Sequence, residues 1–196
     1  MKAAILYEIN KPLVIEDIPI PQPRDNEVLV KIVATGVCHT DLHPIKGDMP
    51  VPLPIVLGHE GAGIVEKVGN GVKNLKEGDH VILPVMPFCG ACPSCHMGKP
   101  YLCLTTAPLL FAGTMVDGTK RLCRKNGEEL NHFFCQSSFA EYAVADFRGA
   151  VKIREDAPLD KVAVFGCGAS TGIGSIVNTA KVEAGARIAI FGCGGV

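Results

Sequence analysis

The sequence predicts a mainly β fold with some helix, its strands arranged in a barrel-like way, and three observations point there. Over the first 85 residues, short β-branched runs alternate with Gly/Pro punctuation. A Cys-, Pro- and Gly-rich stretch at 88–104 then breaks the pattern, and a strand-like run resumes it afterwards. From about Asp160 the apolar period lengthens to that of a helix.

Taken in order, LVIEDI (13–18) reads as a strand closed by the proline-rich turn PIPQPRDN. EVLVKIVATGV (27–37), GIVEKVG (63–69) and KEGDHVILPV (76–85) read as further strands bounded by glycine or proline. SFAEYAVA (138–145) is another, and Val151 to Ile153 extend the series. Residues 169–182 set Ile173, Ile176, Val177 and Ala180 at helical spacing, with Ser170 or Thr171 as the expected cap. After a break at Glu183–Gly185, ARIAIFG (186–192) has the continuous apolar character of a buried parallel strand.

Composition excludes several function classes. Nineteen Lys plus Arg nearly cancel twenty Asp plus Glu, so no basic field is present to hold a polyanion, and nucleic acid is not an expected partner. The N-terminus meets a charge at Glu8 after too few apolar residues for a signal-peptide core, and no run approaches 18 apolar residues. No membrane association and a cytoplasmic location are therefore expected. Nine cysteines are an odd number that cannot all pair as disulfides.

Four of those cysteines cluster. Cys89, Cys92, Cys95 and Cys103 form C-x-x-C-x-x-C with a fourth Cys after seven intervening residues, and the Gly90 and Pro93 turns help to aim them. Two-residue spacings let thiolates converge on one cation, so a closed, tetrahedral, structural zinc site is expected. An iron–sulfur cluster is the rival, but its usual run has a three-residue last gap followed by proline, and Leu104 follows Cys103 here. Cys123, Cys135 and Cys193 read as ordinary thiols, and His80, His96 and His132 as ordinary histidines.

Alone, Cys38, His59 and Cys167 would be weak evidence, because a single Cys or His is more often a packed core residue. Their surroundings carry more. GHEGAGIVEKVGNGV (58–72) fits G-H-E-x-x-G-x(5)-G-x-x-V throughout, flanked by GVCHTD (36–41) and GCGASTGIG (166–174). With GTMVDGTKRLC (113–123) and HFFCQSSFAEY (132–142), the chain resembles the zinc-dependent medium-chain alcohol dehydrogenases, in the branch of the liver-type and glutathione-linked formaldehyde dehydrogenases.

That resemblance implies a GroES-like catalytic domain over 1–160 and the incomplete start of a Rossmann domain over 161–196. It implies that Cys38, His59 and Cys167 hold a catalytic zinc with a fourth position open, making two zinc per chain. Asp41 matches the carboxylate that orients the histidine ligand, and Glu60 a carboxylate beside the site. Thr40 matches the hydroxyl that contacts the alcohol oxygen, and His43 the outer histidine that passes its proton to bulk. His39 matches a contact to the cofactor pyrophosphate. Met49, Val85, Phe133 and Phe134 would line the substrate cleft, where a small Val85 suits medium-chain or aromatic primary alcohols and their aldehydes.

GCGASTGIG and the run ending in Gly192, Cys193, Gly194, Gly195 and Val196 compete for the dinucleotide role. Only the second follows a strand-like run, as the G-x-G-x-x-G fingerprint requires. It lacks its last glycine and the acidic residue that separates NAD from NADP. The chain is thus expected to bind zinc but not to turn over alcohol by itself, with NAD or NADP and a homodimer or homotetramer expected for the full-length enzyme. Two other readings stand beside this one: a non-catalytic zinc-binding module, and an oxidoreductase of the same family acting on aldehydes or glutathione adducts.

Overall fold

The structure, a computed structural model, describes residues 1–196. Ten strands form two five-stranded sheets. One contains β1 (Lys2–Leu6), β2 (Val14–Asp17), β4 (Ile55–Val56), β7 (Leu122–Cys123) and β8 (Glu129–His132), in the order β2-β1-β4-β8-β7. The other contains β3 (Glu27–Thr35), β5 (Gly61–Val68), β6 (His80–Ile82), β9 (Tyr142–Asp146) and β10 (Val151–Lys152), in the order β10-β6-β5-β3-β9. Every pairing is antiparallel except β4 with β8. A bridge between Ala3 and Ala140, with Glu141 N–H donating to the Lys2 carbonyl at 3.0 Å, stitches the sheets together at one corner.

The core explains the strand placement. β3 is central in its sheet and buried on both faces, with Val28 and Val30 on one and Leu29 on the other. Val28 and Val30 pack with Val65, Val81, Leu83 and Ala143, while Leu29 joins Leu6, Ile55, Leu57, Met115 and Phe133. Each such side chain contributes roughly 1.5–3 kcal/mol by leaving water. Gly63 is required where β5 crosses β3, because a Cβ there would overlap the Lys31 carbonyl.

Each strand-like run read between residues 13 and 153 overlaps a strand, usually a shorter one. Strands β1, β4, β7 and β8 are not expected from the sequence; all four span only two to five residues and are defined by their partners rather than by a period. Nor is helix α1 (His39–Lys46), which carries Pro44 inside and ends on Gly47 at φ 82°. Short helices α2 (Pro93–His96) and α3 (Leu159–Val162) complete the set before α4 (Gly168–Gly174).

Two expectations for the C-terminal part are corrected. α4 starts at Gly168 with Cys167 as its N-cap, so Ser170 and Thr171 lie inside its first turn, and the Ser170 hydroxyl donates to the Phe165 carbonyl instead of capping. The helix runs on as a single π turn over Ser175–Thr179. Residues 186–192 form no strand: Ile188, Ile190 and Phe191 are exposed, the last at 98%. A parallel strand exists only by pairing with neighbours, and none of the ten strands lies beside this run. No single helix is long and apolar enough to cross a membrane.

One buried polar corner fastens the start of β3 to the approach to β7. Arg121 donates to Glu27 from Nε at 2.9 Å and from Nη2 at 2.6 Å, with both side chains almost wholly buried. The Arg121 backbone N–H donates to His132 Nε2 at 3.0 Å. Burial, and then the charges of Arg121 and Lys120, push the His132 pKa down to about 3. The unfolded chain takes up a proton near pH 6.5 that the folded chain refuses, so this stabilisation is complete above pH 6.5 and is lost as pH falls toward 3. His132 should therefore remove about 1.4 kcal/mol of unfolding free energy per pH unit between pH 6 and 4. In urea titrations His132→Gln should flatten that slope by about one proton, and an unchanged slope would overturn the assignment.

Candidate metal centres

Cys38 ends the loop after β3 and is the N-cap of α1, in extended backbone at φ −93°, ψ 155°. Its N–H donates to Asp41 Oδ2 at 3.0 Å, so the carboxylate three residues on closes the first turn. The other oxygen, Asp41 Oδ1, accepts from the Gly58 N–H at 3.1 Å and from His59 Nδ1 at 3.0 Å. Gly58 has φ +91° and no room for a Cβ against the Phe139 backbone, so the turn that delivers His59 demands glycine.

This arrangement fixes the imidazole. An ionised carboxylate only accepts, so Nδ1 keeps its proton towards Asp41 and Nε2 is the ring nitrogen left to bind a metal. Nε2 is buried and has no hydrogen-bond partner. Its surroundings are the donor atoms of Cys38, Glu60 and Cys167, all within 4.8 Å of one another. Burial pulls the His59 pKa down, but the Asp41 carboxylate and then the neighbouring Cys167 sulfur outweigh it and hold the pKa up at about 10, so the metal-free ring is cationic and would release its Nε2 proton on binding a metal. Burial likewise raises the Cys38 thiol, while hydrogen bonds from Thr40 and then His59 bring it below the ordinary range. Two thiols, an imidazole nitrogen and a carboxylate at this spacing form a donor set suited to zinc.

The remaining residues singled out near this centre take different places. Thr40 sits in the first turn of α1 with its hydroxyl 3.6 Å from Cys38 Sγ. His39 and His43 lie one turn apart with ring centroids at 5.1 Å, and His43 Nδ1 is 3.6 Å from Asp48 Oδ2 at the surface. Val85 lines a cleft of about 360 Å³ together with Cys167, Phe88, Tyr101, Phe165 and Thr171. Phe134 stacks on the His59 ring at 4.6 Å, Phe133 packs edge-on at 5.7 Å and is fully buried, and Met49 is half-buried against the same cluster. Gly192, Gly194 and Gly195 lie on exposed coil. Sequence reasoning passed over Tyr101, Phe165 and Thr171, whose types carry no signal and which only folding brings to the cleft.

The second centre lies in the lobe between β6 and β7. Sulfur–sulfur distances are 3.6 Å for Cys92–Cys95, 3.9 Å for Cys92–Cys103 and 4.0 Å for Cys89–Cys95. A tetrahedron with metal–sulfur bonds of about 2.3 Å has sulfurs about 3.8 Å apart, which these distances match. Backbone N–H groups of Cys89 and Cys92 point at Cys103 Sγ and Cys89 Sγ at 3.3 and 3.2 Å, an arrangement that favours thiolates. Around them Met97, Tyr101, Leu102 and Leu104 are all exposed, so the lobe has little apolar core of its own.

Comparison with known proteins supplies a context for both centres. The alcohol dehydrogenase GroES-like domain family matches residues 24–155. An alcohol dehydrogenase class-3 of Drosophila melanogaster is 53% identical over all 196 residues, which cover 52% of that protein. Its namesake in Dictyostelium discoideum is 48% identical over the same span, again 52% of its length. Among solved structures, an alcohol dehydrogenase zinc-binding domain protein from Burkholderia ambifaria superposes with a TM-score of 0.89 at 46% identity, over 94% of this chain and 50% of that one. Benzyl alcohol dehydrogenase from Acinetobacter calcoaceticus gives 0.85 at 42% identity, over 92% and 48%. The chain spans about half the length of the curated relatives it matches.

The Asp41 carboxylate makes three hydrogen bonds at a site almost closed to solvent. Replacing it with alanine should lower the unfolding free energy of the metal-free chain by about 3 kcal/mol, through the lost cap and two unpaired N–H groups. Urea denaturation of Asp41→Ala measures this, and a loss below about 1 kcal/mol would mean that the carboxylate does not anchor the site.

Proposed function

The chain belongs to the alcohol dehydrogenase GroES-like domain family, and on that premise we propose that it forms the metal-carrying part of a zinc-dependent alcohol dehydrogenase. The reaction is reversible oxidation of a primary alcohol to an aldehyde, with hydride passing to NAD or NADP. The observation that carries this reading is the buried, unpartnered His59 Nε2 facing two thiols. Zinc held by Cys38, His59 and Cys167 supplies a Lewis acid that polarises the alcohol oxygen.

The residues do the rest. Thiolates of Cys38 and Cys167 balance the charge of the dication, and Asp41 keeps His59 in the tautomer that offers Nε2. Glu60 is a fourth donor that could reach the same ion. Thr40, beside Cys38, would accept the alcohol proton as it hands on its own, and His43, half-exposed next to Asp48, would pass a proton to solvent. His39, in the first turn of α1, is assigned a contact to the cofactor pyrophosphate. Cys89, Cys92, Cys95 and Cys103 hold a second zinc that closes the lobe.

In this reading residues 1–160 are the catalytic domain, and 161–196 begin a dinucleotide-binding domain whose phosphate turn includes Gly192, Gly194 and Gly195. The protein of full family length is a homodimer or homotetramer. A cytoplasmic location suits nine cysteines, none of them in a disulfide. The small Val85 in the cleft beside Cys167 leaves room for a medium-chain or aromatic alcohol. Similarity to a benzyl alcohol dehydrogenase supports the aromatic choice.

Elemental analysis of the purified chain should find two zinc, with one lost in Cys38→Ser and the other in Cys103→Ser; one zinc or none in the unsubstituted chain would sink the reading. In the protein of full family length, kcat/KM should favour benzyl alcohol over ethanol, and Val85→Phe should reverse the order by at least about tenfold. Preference for ethanol before substitution would overturn the pocket assignment.

A further inference from the structure

The segment from Phe133 to Ser138 is strained. Phe134, Cys135 and Ser137 have φ of 51°, 55° and 58°, the left-handed region that bulky side chains rarely adopt. Bonds within the turn hold it there: Phe133 N–H donates to Ser137 Oγ at 2.9 Å, and Ser137 N–H returns to the Phe133 carbonyl at 3.1 Å. Such strain persists where the surrounding structure over-determines it, and it concentrates at functional sites. Here the turn aims two side chains at one target. Phe134 lays its ring on the His59 imidazole, and Gln136 turns inward, 3% exposed.

The Gln136 amide meets three carbonyl oxygens: His59 at 3.2 Å, Pro84 at 3.1 Å and Leu83 at 3.4 Å. Three acceptors at one end of the side chain oblige that end to be the NH2 group. The Leu83 and Pro84 carbonyls fall just after β6 ends at Ile82 and that of His59 just before β5 begins, and no backbone N–H donates to any of the three. One residue further, Val85 N–H donates to the Gly166 carbonyl at 3.0 Å, next to Cys167. A continuous path of hydrogen bonds therefore runs from the His59 backbone through Gln136 and residues 83–85 to the segment that carries Cys167.

We propose that Gln136 is a positioning residue of the Cys38–His59–Cys167 centre, setting the separation of the His59 and Cys167 donors by tying the His59 carbonyl through one amide nitrogen to residues 83–84, whose neighbour Val85 holds the Cys167 segment. The role rests on the metal-site reading above. Asp41 fixes which way the imidazole points, and Gln136 fixes where its backbone stands relative to the third ligand. Without the amide the carbonyls repel one another and the ligand segments drift apart, while the four-cysteine lobe keeps its own geometry.

The test uses the zinc-loaded 196-residue chain and a chromophoric chelator that follows release of each ion. Gln136→Met, which keeps the length but removes both donors, should speed release of one ion by about 10–100-fold. The other ion, identified by its loss in Cys103→Ser, should leave at the unsubstituted rate and so report that the fold is intact. In cobalt-loaded chain, the absorption bands lost in Cys38→Ser should shift in Gln136→Met, while those of the four-cysteine site stay fixed. Should Gln136→Met fail to fold, Gln136→Asn, which keeps the donor on a shorter stem, is expected to give the same selective change at smaller size. Unchanged release and unchanged bands in a folded variant overturn the role of Gln136 alone. An unsubstituted chain that holds a single ion, removed by Cys103→Ser, overturns the metal-site reading and the role with it.

Discussion

The Asp41 carboxylate is the constraint around which the centre near Cys38 is organised. It accepts from the N–H of Cys38, the N–H of Gly58 and Nδ1 of His59, three groups from two segments far apart in sequence. Each bond does separate work: one starts α1, one fixes the left-handed turn before β5, and one leaves His59 Nε2 buried, unpartnered and available to a metal. A buried carboxylate with fewer partners would be costly, so the three donors are as necessary to Asp41 as it is to them.

The protein solves two problems of buried polarity in different ways. At the Asp41 centre, polar groups are held inside a well-packed β core, walled by Phe133 and Phe134. In the four-cysteine lobe the apolar side chains are on the outside, and sulfurs 3.6–4.0 Å apart occupy the position that a core would otherwise fill. A closed thiolate site can substitute for apolar burial in so small a lobe, because the free energy of metal binding becomes free energy of folding.

The two sheets place these sites. Cys38 leaves the end of β3 and His59 enters β5, and β3 and β5 are paired from Val28 with Val68 to Thr35 with Gly61. The pairing brings the two donors to one end of the sheet. Cys167 arrives from much later in the chain through the turn that follows α3, anchored by the bond from Val85 to Gly166. Residues 83–85 meet the Cys167 segment through Val85 and the His59 carbonyl through the amide of Gln136, which comes from a turn that sequence patterns do not mark.

Short-range chemistry in the sequence determined the elements that need only their neighbours in the chain. The β-branched runs of β3 and β5 and the four cysteines at two-residue spacing have local physical causes, and both were legible. The pairing of Asp41 with His59 was legible too, but only through resemblance. Tertiary structure alone decided the rest. The two-residue strands β4 and β7 exist because partners lie beside them, and residues 186–192 form no strand because none does. Phe133 became core wall, Phe134 a plate over the imidazole, and Gln136 a link between segments, since burial and hydrogen-bond partners are properties of the packed chain that no local spacing encodes.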